Sequence, residues 1–137
     1  MMKMNPVVHF EMPYEDKDRV AKFYEVVFGW NMTKLGAEMM DYVLAQTAKP
    51  SKINDEIMKD AARGTIGGGF FPKKEGWPAQ YPSIVIAVDD IQKSMELVNK
   101  NGGKTLGEPM DIPGTGKYVS FLDTEGNRAS ILQPLPM

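Results

Sequence analysis

The feature that most restricts this chain is that it repeats its own plan. Val7 to Met12 alternate, with Val8, Phe10 and Met12 on one side and His9 and Glu11 on the other, which predicts a strand with one apolar face. Asp16 is placed to cap a helix whose apolar stripe is Val20, Phe23, Tyr24, Val27 and Phe28, and Gly29 follows where a left-handed residue ends a helix. An offset of 74 residues carries Asp16 to Asp90, Phe10 to Ile84, Phe23 to Leu97, Tyr24 to Val98 and Gly29 to Gly103. The same offset carries His9 to Ser83. One register that aligns strand, cap, stripe and stop implies two supersecondary units sharing one architecture rather than a solenoid of many short repeats.

Between these anchors the pattern is mostly short strands. Trp30 to Leu35, Met39 to Gln46 and Thr65 to Phe71 read as strands, with a turn at Gly36 and Ala37. The stretch 48–64 breaks the pattern. It reads as an excursion with a short helix from Asp55 to Ala62, capped by Asn54 and ended by Gly64, and serves either as a lid or as a solvated connector. Three consecutive glycines, Gly67 to Gly69, mark a bulge or a close approach to the backbone. Residues 73–81 are a linker between a first module at 5–72 and a second at 82–135. In the second module Ser83 to Val88 is a strand and Asp90 caps a helix carrying Ile91, Met95 and Val98. Lys104 to Met110, Lys117 to Leu122 and Arg128 to Gln133 are strands, with turns at Pro113 to Gly116 and at Asp123 to Asn127. The predicted class is α+β, two tandem βαβββ modules in one domain.

Composition removes several functions. There are no cysteines, which excludes disulfides, thiolate catalysis and cysteine metal sites, and the single histidine excludes any mechanism needing two. A net charge of −2, with aromatics not interleaved with basic residues, gives no basis for nucleic-acid or anionic-membrane binding. No window reaches the ~18 apolar residues of a membrane span. The expectation is a soluble cytoplasmic protein. Residues 113–119, PGTGKYV, miss the phosphate-loop pattern, because Asp111 stands where its first glycine belongs and Tyr118 replaces Ser or Thr.

A doubled βαβββ plan that opens VVHFE, continues FYEVVFGW and closes YVSFLDTEGNRASILQP resembles the vicinal oxygen chelate superfamily of glyoxalases, bleomycin-resistance proteins, fosfomycin-resistance transferases and extradiol dioxygenases. Within that group it is similar to small proteins related to lactoylglutathione lyase. The resemblance covers essentially the whole chain. It implies curved, mainly antiparallel sheets forming a cup with helices outside, and a homodimer. It also implies a divalent metal (Zn, Ni, Co, Mn or Fe) held by the first and last strands of the modules. Those places here are His9, Gly68, Ser83 and Ser130, of which only His9 is a usual ligand.

The candidate site therefore divides. His9 and Glu11 share a strand face and read as an acid–base or ligand-binding pair, or as a bonded histidine beside a rim carboxylate. Ser83, Tyr118, Ser120 and Ser130 read as lining for a pocket, or as small and packed groups where a barrel tapers. Arg128 shares the parity of Ser130 and reads as a surface arginine or as an attractor of anions at the pocket mouth. Two functions stay open. One is a pocket binding a small organic molecule without cofactor or metal; the other is a metal-dependent lyase or transferase using His9.

Overall fold

The computed structural model describes residues 3–48 and 64–136. In chain order the elements are β1 (Val7–Tyr14), α1 (Lys17–Phe28), β2 (Asn31–Lys34), a 3-10 turn (Ala37–Met39), β3 (Val43–Gln46), β4 (Gly67–Pro72), β5 (Ser83–Ala87), α2 (Ile91–Lys100), β6 (Lys104–Ile112), β7 (Gly116–Leu122) and β8 (Arg128–Pro134). The class is α+β and the plan is βαβββ twice. The short helix expected at Asp55–Ala62 lies outside the described residues. Among the described residues no helix is long and apolar enough to cross a membrane.

The chain forms two compact units. One runs from His9 to Pro82, and the other joins the stretch up to Val8 to the chain from Ser83 onward. In the first unit the strand order is β2-β3-β4-β1. β2–β3 and β3–β4 are antiparallel, and β1–β4 is parallel because the chain crosses over through α1 before returning. The second unit repeats this as β5-β8-β7-β6, with β5–β8 parallel and the others antiparallel.

Both helices start as the sequence predicts, and α1 stops at Gly29, whereas α2 ends at Lys100 with Asn101 as its cap and Gly102, not Gly103, in left-handed backbone at φ 95°. Asp16 Oδ1 accepts from the backbone N–H of Arg19 at 3.0 Å, and Asp90 Oδ1 from that of Lys93 at 3.1 Å. Gln133 adds a second partner on α2, its Oε1 accepting from Ile91 N–H at 2.9 Å. Gly29 takes φ 72° at the end of α1 and donates to the carbonyl of Glu25.

Each unit has its own core between helix and sheet. In the first, Tyr14, Ala21, Val43, Ala45 and Phe70 are buried, with Phe10, Met12, Val20, Tyr24, Trp30 and Met32 packed against them. Tyr24 and Trp30 stack with centroids 4.8 Å apart. In the second, Val88, Ile91, Met95, Val119 and Ile131 are buried. The expected stripe on α1 is only half used: Val20 and Tyr24 meet the core, whereas Phe23, Val27 and Phe28 are more than half exposed.

The third strand corrects the expectation. It begins at Val43, not Met39, because Met40 and Asp41 both adopt left-handed backbone, φ 55° and 56°. Two consecutive left-handed residues turn the chain instead of extending it. Asp41 N–H donates to the carbonyl of Gly36 at 2.9 Å, and the hydroxyl of Tyr14 to the carbonyl of Asp41 at 2.7 Å, which holds the turn against the core.

Candidate functional site

In the first unit the helix covers the sheet face that carries Phe10, Met12 and Phe70. Strand alternation therefore puts His9 and Glu11 on the other face, opposite Gly67 and Gly69 of β4. The turn at Met40–Asp41 delivers Tyr42 to that face. Its hydroxyl donates to Glu11 Oε2 at 3.0 Å and lies 2.8 Å from His9 Nε2. The imidazole and phenol planes are within 17° of parallel, as an in-plane hydrogen bond allows. Glu11 is 7% exposed. Burial holds the His9 imidazole below its ordinary value of 6.5, against the opposing pull of the Glu11 charge.

The second unit builds a different cluster on the equivalent face. Arg128 reaches from the start of β8 across three hydroxyls. Its Nη1 donates to Ser120 Oγ at 2.9 Å and to Ser130 Oγ at 3.4 Å, and its Nη2 to Ser83 Oγ at 2.9 Å. Ser120 and Ser130 are 2.8 Å apart, and Ser130 donates to the hydroxyl of Tyr118 at 2.8 Å. Ser130 is wholly buried, and one proton given and two bonds accepted use a hydroxyl's full capacity. Four residues expected to line a pocket, Ser83, Tyr118, Ser120 and Ser130, are thus joined in one network. Arg128 is its half-buried hub, not the surface arginine of the first alternative.

Sequence reasoning missed Tyr42. The signal was present: Tyr42 and Tyr118 occupy equivalent places one residue before Val43 and Val119, an offset of 76, two beyond the 74 of the helices. Reading Met39 to Gln46 as one strand hid it. The strand registers also correct the fourth ligand place. Glu11 pairs with Gly69 as Val85 pairs with Ser130, so Gly69 is the equivalent of Ser130 and Gly68 lies on the helix side. A Cβ on Gly68 would fall into the Phe10 ring, and one on Gly69 into the Tyr42 ring. Matching the strand ends GFFP and ILQP slipped the alignment by one, and one residue reverses the face.

The donor set can now be tested against the metal that the resemblance implies. The four places hold one imidazole, one glycine under a phenol ring and two serine hydroxyls that accept from a guanidinium. Neutral hydroxyls are weak ligands for these ions, and a fixed positive charge bonded to both opposes a cation. Among the described residues no group of three or more His, Cys, Asp or Glu side chains is placed to hold a metal ion. These residues do not fit a divalent metal site.

Residues 7–131 match the model of the Glyoxalase/Bleomycin resistance protein/Dioxygenase superfamily, and the chain belongs to that superfamily. It is 33% identical over 122 residues to a glyoxylase-like domain-containing protein of Didymella fabae, covering 88% of each chain. It is 30% identical to a lactoylglutathione lyase of Arabidopsis thaliana, matching 81% of this chain but only 39% of that protein. Methylmalonyl-CoA epimerase of Streptomyces coelicolor, solved with 2-nitronate-propionyl-CoA, superposes with a TM-score of 0.67 at 13% identity, covering 98% of both chains. The epimerase of Mycobacterium tuberculosis gives 0.66 at 13%, covering 99% of this chain and 94% of that one. At such identity the likeness establishes the fold alone.

Proposed function

We propose that this member of the superfamily binds a small organic molecule on a strand face that its helix leaves uncovered, without a divalent metal or other cofactor. The observation that carries the reading is the replacement of ligand chemistry at the four expected places. Where a metal site needs several anionic or imidazole donors, this chain has His9, Gly69, Ser83 and Ser130, with Arg128 seated on both serines. In the first module His9 and Glu11, bridged by Tyr42, supply the polar groups. In the second module Ser83, Tyr118 and Ser120 supply hydroxyls, held in place by Arg128 and by the buried Ser130. Structural neighbours solved with 2-nitronate-propionyl-CoA support a small-molecule role for the fold. A homodimer is part of the same reading.

The alternative is a lactoylglutathione-lyase-related lyase or transferase that uses His9 with a metal, favoured by the name of the Arabidopsis relative. Elemental analysis of purified protein separates the two, before and after incubation with Zn, Ni, Co and Mn salts and dialysis. The expected result is no retained metal in folded protein. One retained equivalent, lost in His9→Ala together with turnover of lactoylglutathione, would establish the alternative.

A further inference from the structure

The first module fixes more than the position of His9. A phenol has one proton, and that of Tyr42 is directed to Glu11 Oε2. A carboxylate only accepts. The short contact between Tyr42 and His9 must then be made by the proton on His9 Nε2, with the phenol oxygen accepting. The chain of donation runs His9 Nε2–H to Tyr42 O–H to Glu11. It leaves Nδ1 as the lone-pair nitrogen of a neutral ring. Among the described residues Nδ1 has no hydrogen-bond partner, and it is not among the buried side-chain atoms left unsatisfied.

Two further features accompany this arrangement. Gly69 leaves the space that the Tyr42 ring fills, since any side chain there would overlap Cζ and the hydroxyl. The left-handed pair Met40–Asp41, a costly conformation for a methionine, turns the backbone one residue before Tyr42. Strain of this kind persists where the surrounding structure over-determines it, and it gathers at functional sites.

We infer that Tyr42 is a positioning residue, seated by Gly69, that locks His9 in the Nε2–H tautomer and presents Nδ1 as an acceptor for a hydroxyl or N–H group of the ligand. This deepens the ligand-binding reading above and rests on it. A lone pair on Nδ1 can only accept, so the group received is a hydrogen-bond donor. In wild-type protein the lone pair of Nδ1 is thereby aimed at a ligand proton and not at the protein.

The single histidine makes the test direct. Protein labelled with 15N-histidine gives one pair of ring-nitrogen resonances, and their separation is greatest for a pure tautomer. The measurement is made on metal-free wild type, Tyr42→Phe and Gly69→Ala at slightly alkaline pH. The wild type is expected to show a pyrrole-type Nε2 and a pyridine-type Nδ1 at wide separation. Both variants are expected to bring the two resonances together. Should Gly69→Ala fail to fold, Tyr42→Phe decides alone, because it removes only the hydroxyl. Adding phenol should move the Nδ1 resonance toward the pyrrole-type position, whereas anisole, which lacks the proton, should not. A pyridine-type Nε2 in the wild type, or a separation unchanged in Tyr42→Phe, would overturn the locked tautomer. An Nδ1 resonance indifferent to phenol, or equally moved by anisole, would overturn the ligand class. Metal retention in the elemental assay would defeat the preceding reading without altering the tautomer seen in metal-free protein, so the two failures are separable.

Discussion

His9 carries a stability consequence that follows from its surroundings. Burial lowers its value from 6.5, with Glu11 pulling the other way. A base whose folded value lies below its unfolded one takes up protons more readily when unfolded. The stability tied to the neutral ring is therefore complete above pH 6.5 and is lost as pH falls through that value toward the folded one. His9→Gln removes the titration. The difference in unfolding free energy between wild type and variant is expected to be flat above about pH 7 and to shrink below it, read from urea melts across the range where histidine titrates. A difference that stays level throughout would show that the folded value is not lowered. At this scale the sequence was half legible. Alternation is local, so it placed His9 with Glu11 and Ser83 on the equivalent strand. The partners of Tyr42, Gly69 and Arg128 are set by cross-strand register, which no local pattern contains.

Among the elements, the two helices were the clearest because every signal agreed: cap, stripe and stop. That agreement has a measurable counterpart. Asp16 and Asp90 do the same work at the same position, each satisfying one backbone N–H that has no helical partner. Replacing either with Ala is expected to cost about 1 kcal/mol. Asp90→Ala should cost less than Asp16→Ala, since Gln133 still serves the first turn of α2 while α1 has no such second partner among the described caps. Denaturant midpoints should fall with the slope unchanged; a change in slope would mean the helix end does more than lose a cap. The element that was misread, β3, failed for the opposite reason. Methionine and aspartate give no warning that they will take left-handed backbone, and the apolar run MMDYVLAQ fits a strand until the turn is seen. Periodicity likewise named the apolar positions of α1 but not how wide a strip its module would cover.

For the molecule as a whole, the repeat made the fold legible from one end of the chain to the other, while the ligand stayed unwritten because one architecture accommodates many chemistries. What the fold leaves outside is more specific. Phe23, Val26, Val27 and Phe28 of α1 are 52%, 72%, 53% and 59% exposed, an apolar run on one element. The homodimer reading gives that run a role. Fully burying such a side chain is worth roughly 1.5–3 kcal/mol, so covering the exposed half of four on each of two copies yields on the order of 6–12 kcal/mol. Association costs an estimated ~4–15 kcal/mol in lost translational and rotational freedom, which leaves at most about 8 kcal/mol, a dissociation constant of about micromolar at the tightest. If α1 meets its own copy, the dimer should therefore dissociate within an accessible concentration range rather than be permanent. Sedimentation velocity over a dilution series is expected to show a concentration-dependent shift from dimer to monomer. Val26→Lys, at the most exposed position, should move the midpoint to higher concentration without changing the folded monomer's circular dichroism. A chain that sediments as a monomer at every concentration would remove the homodimer. A dimer indifferent to Val26→Lys would place the interface on another face.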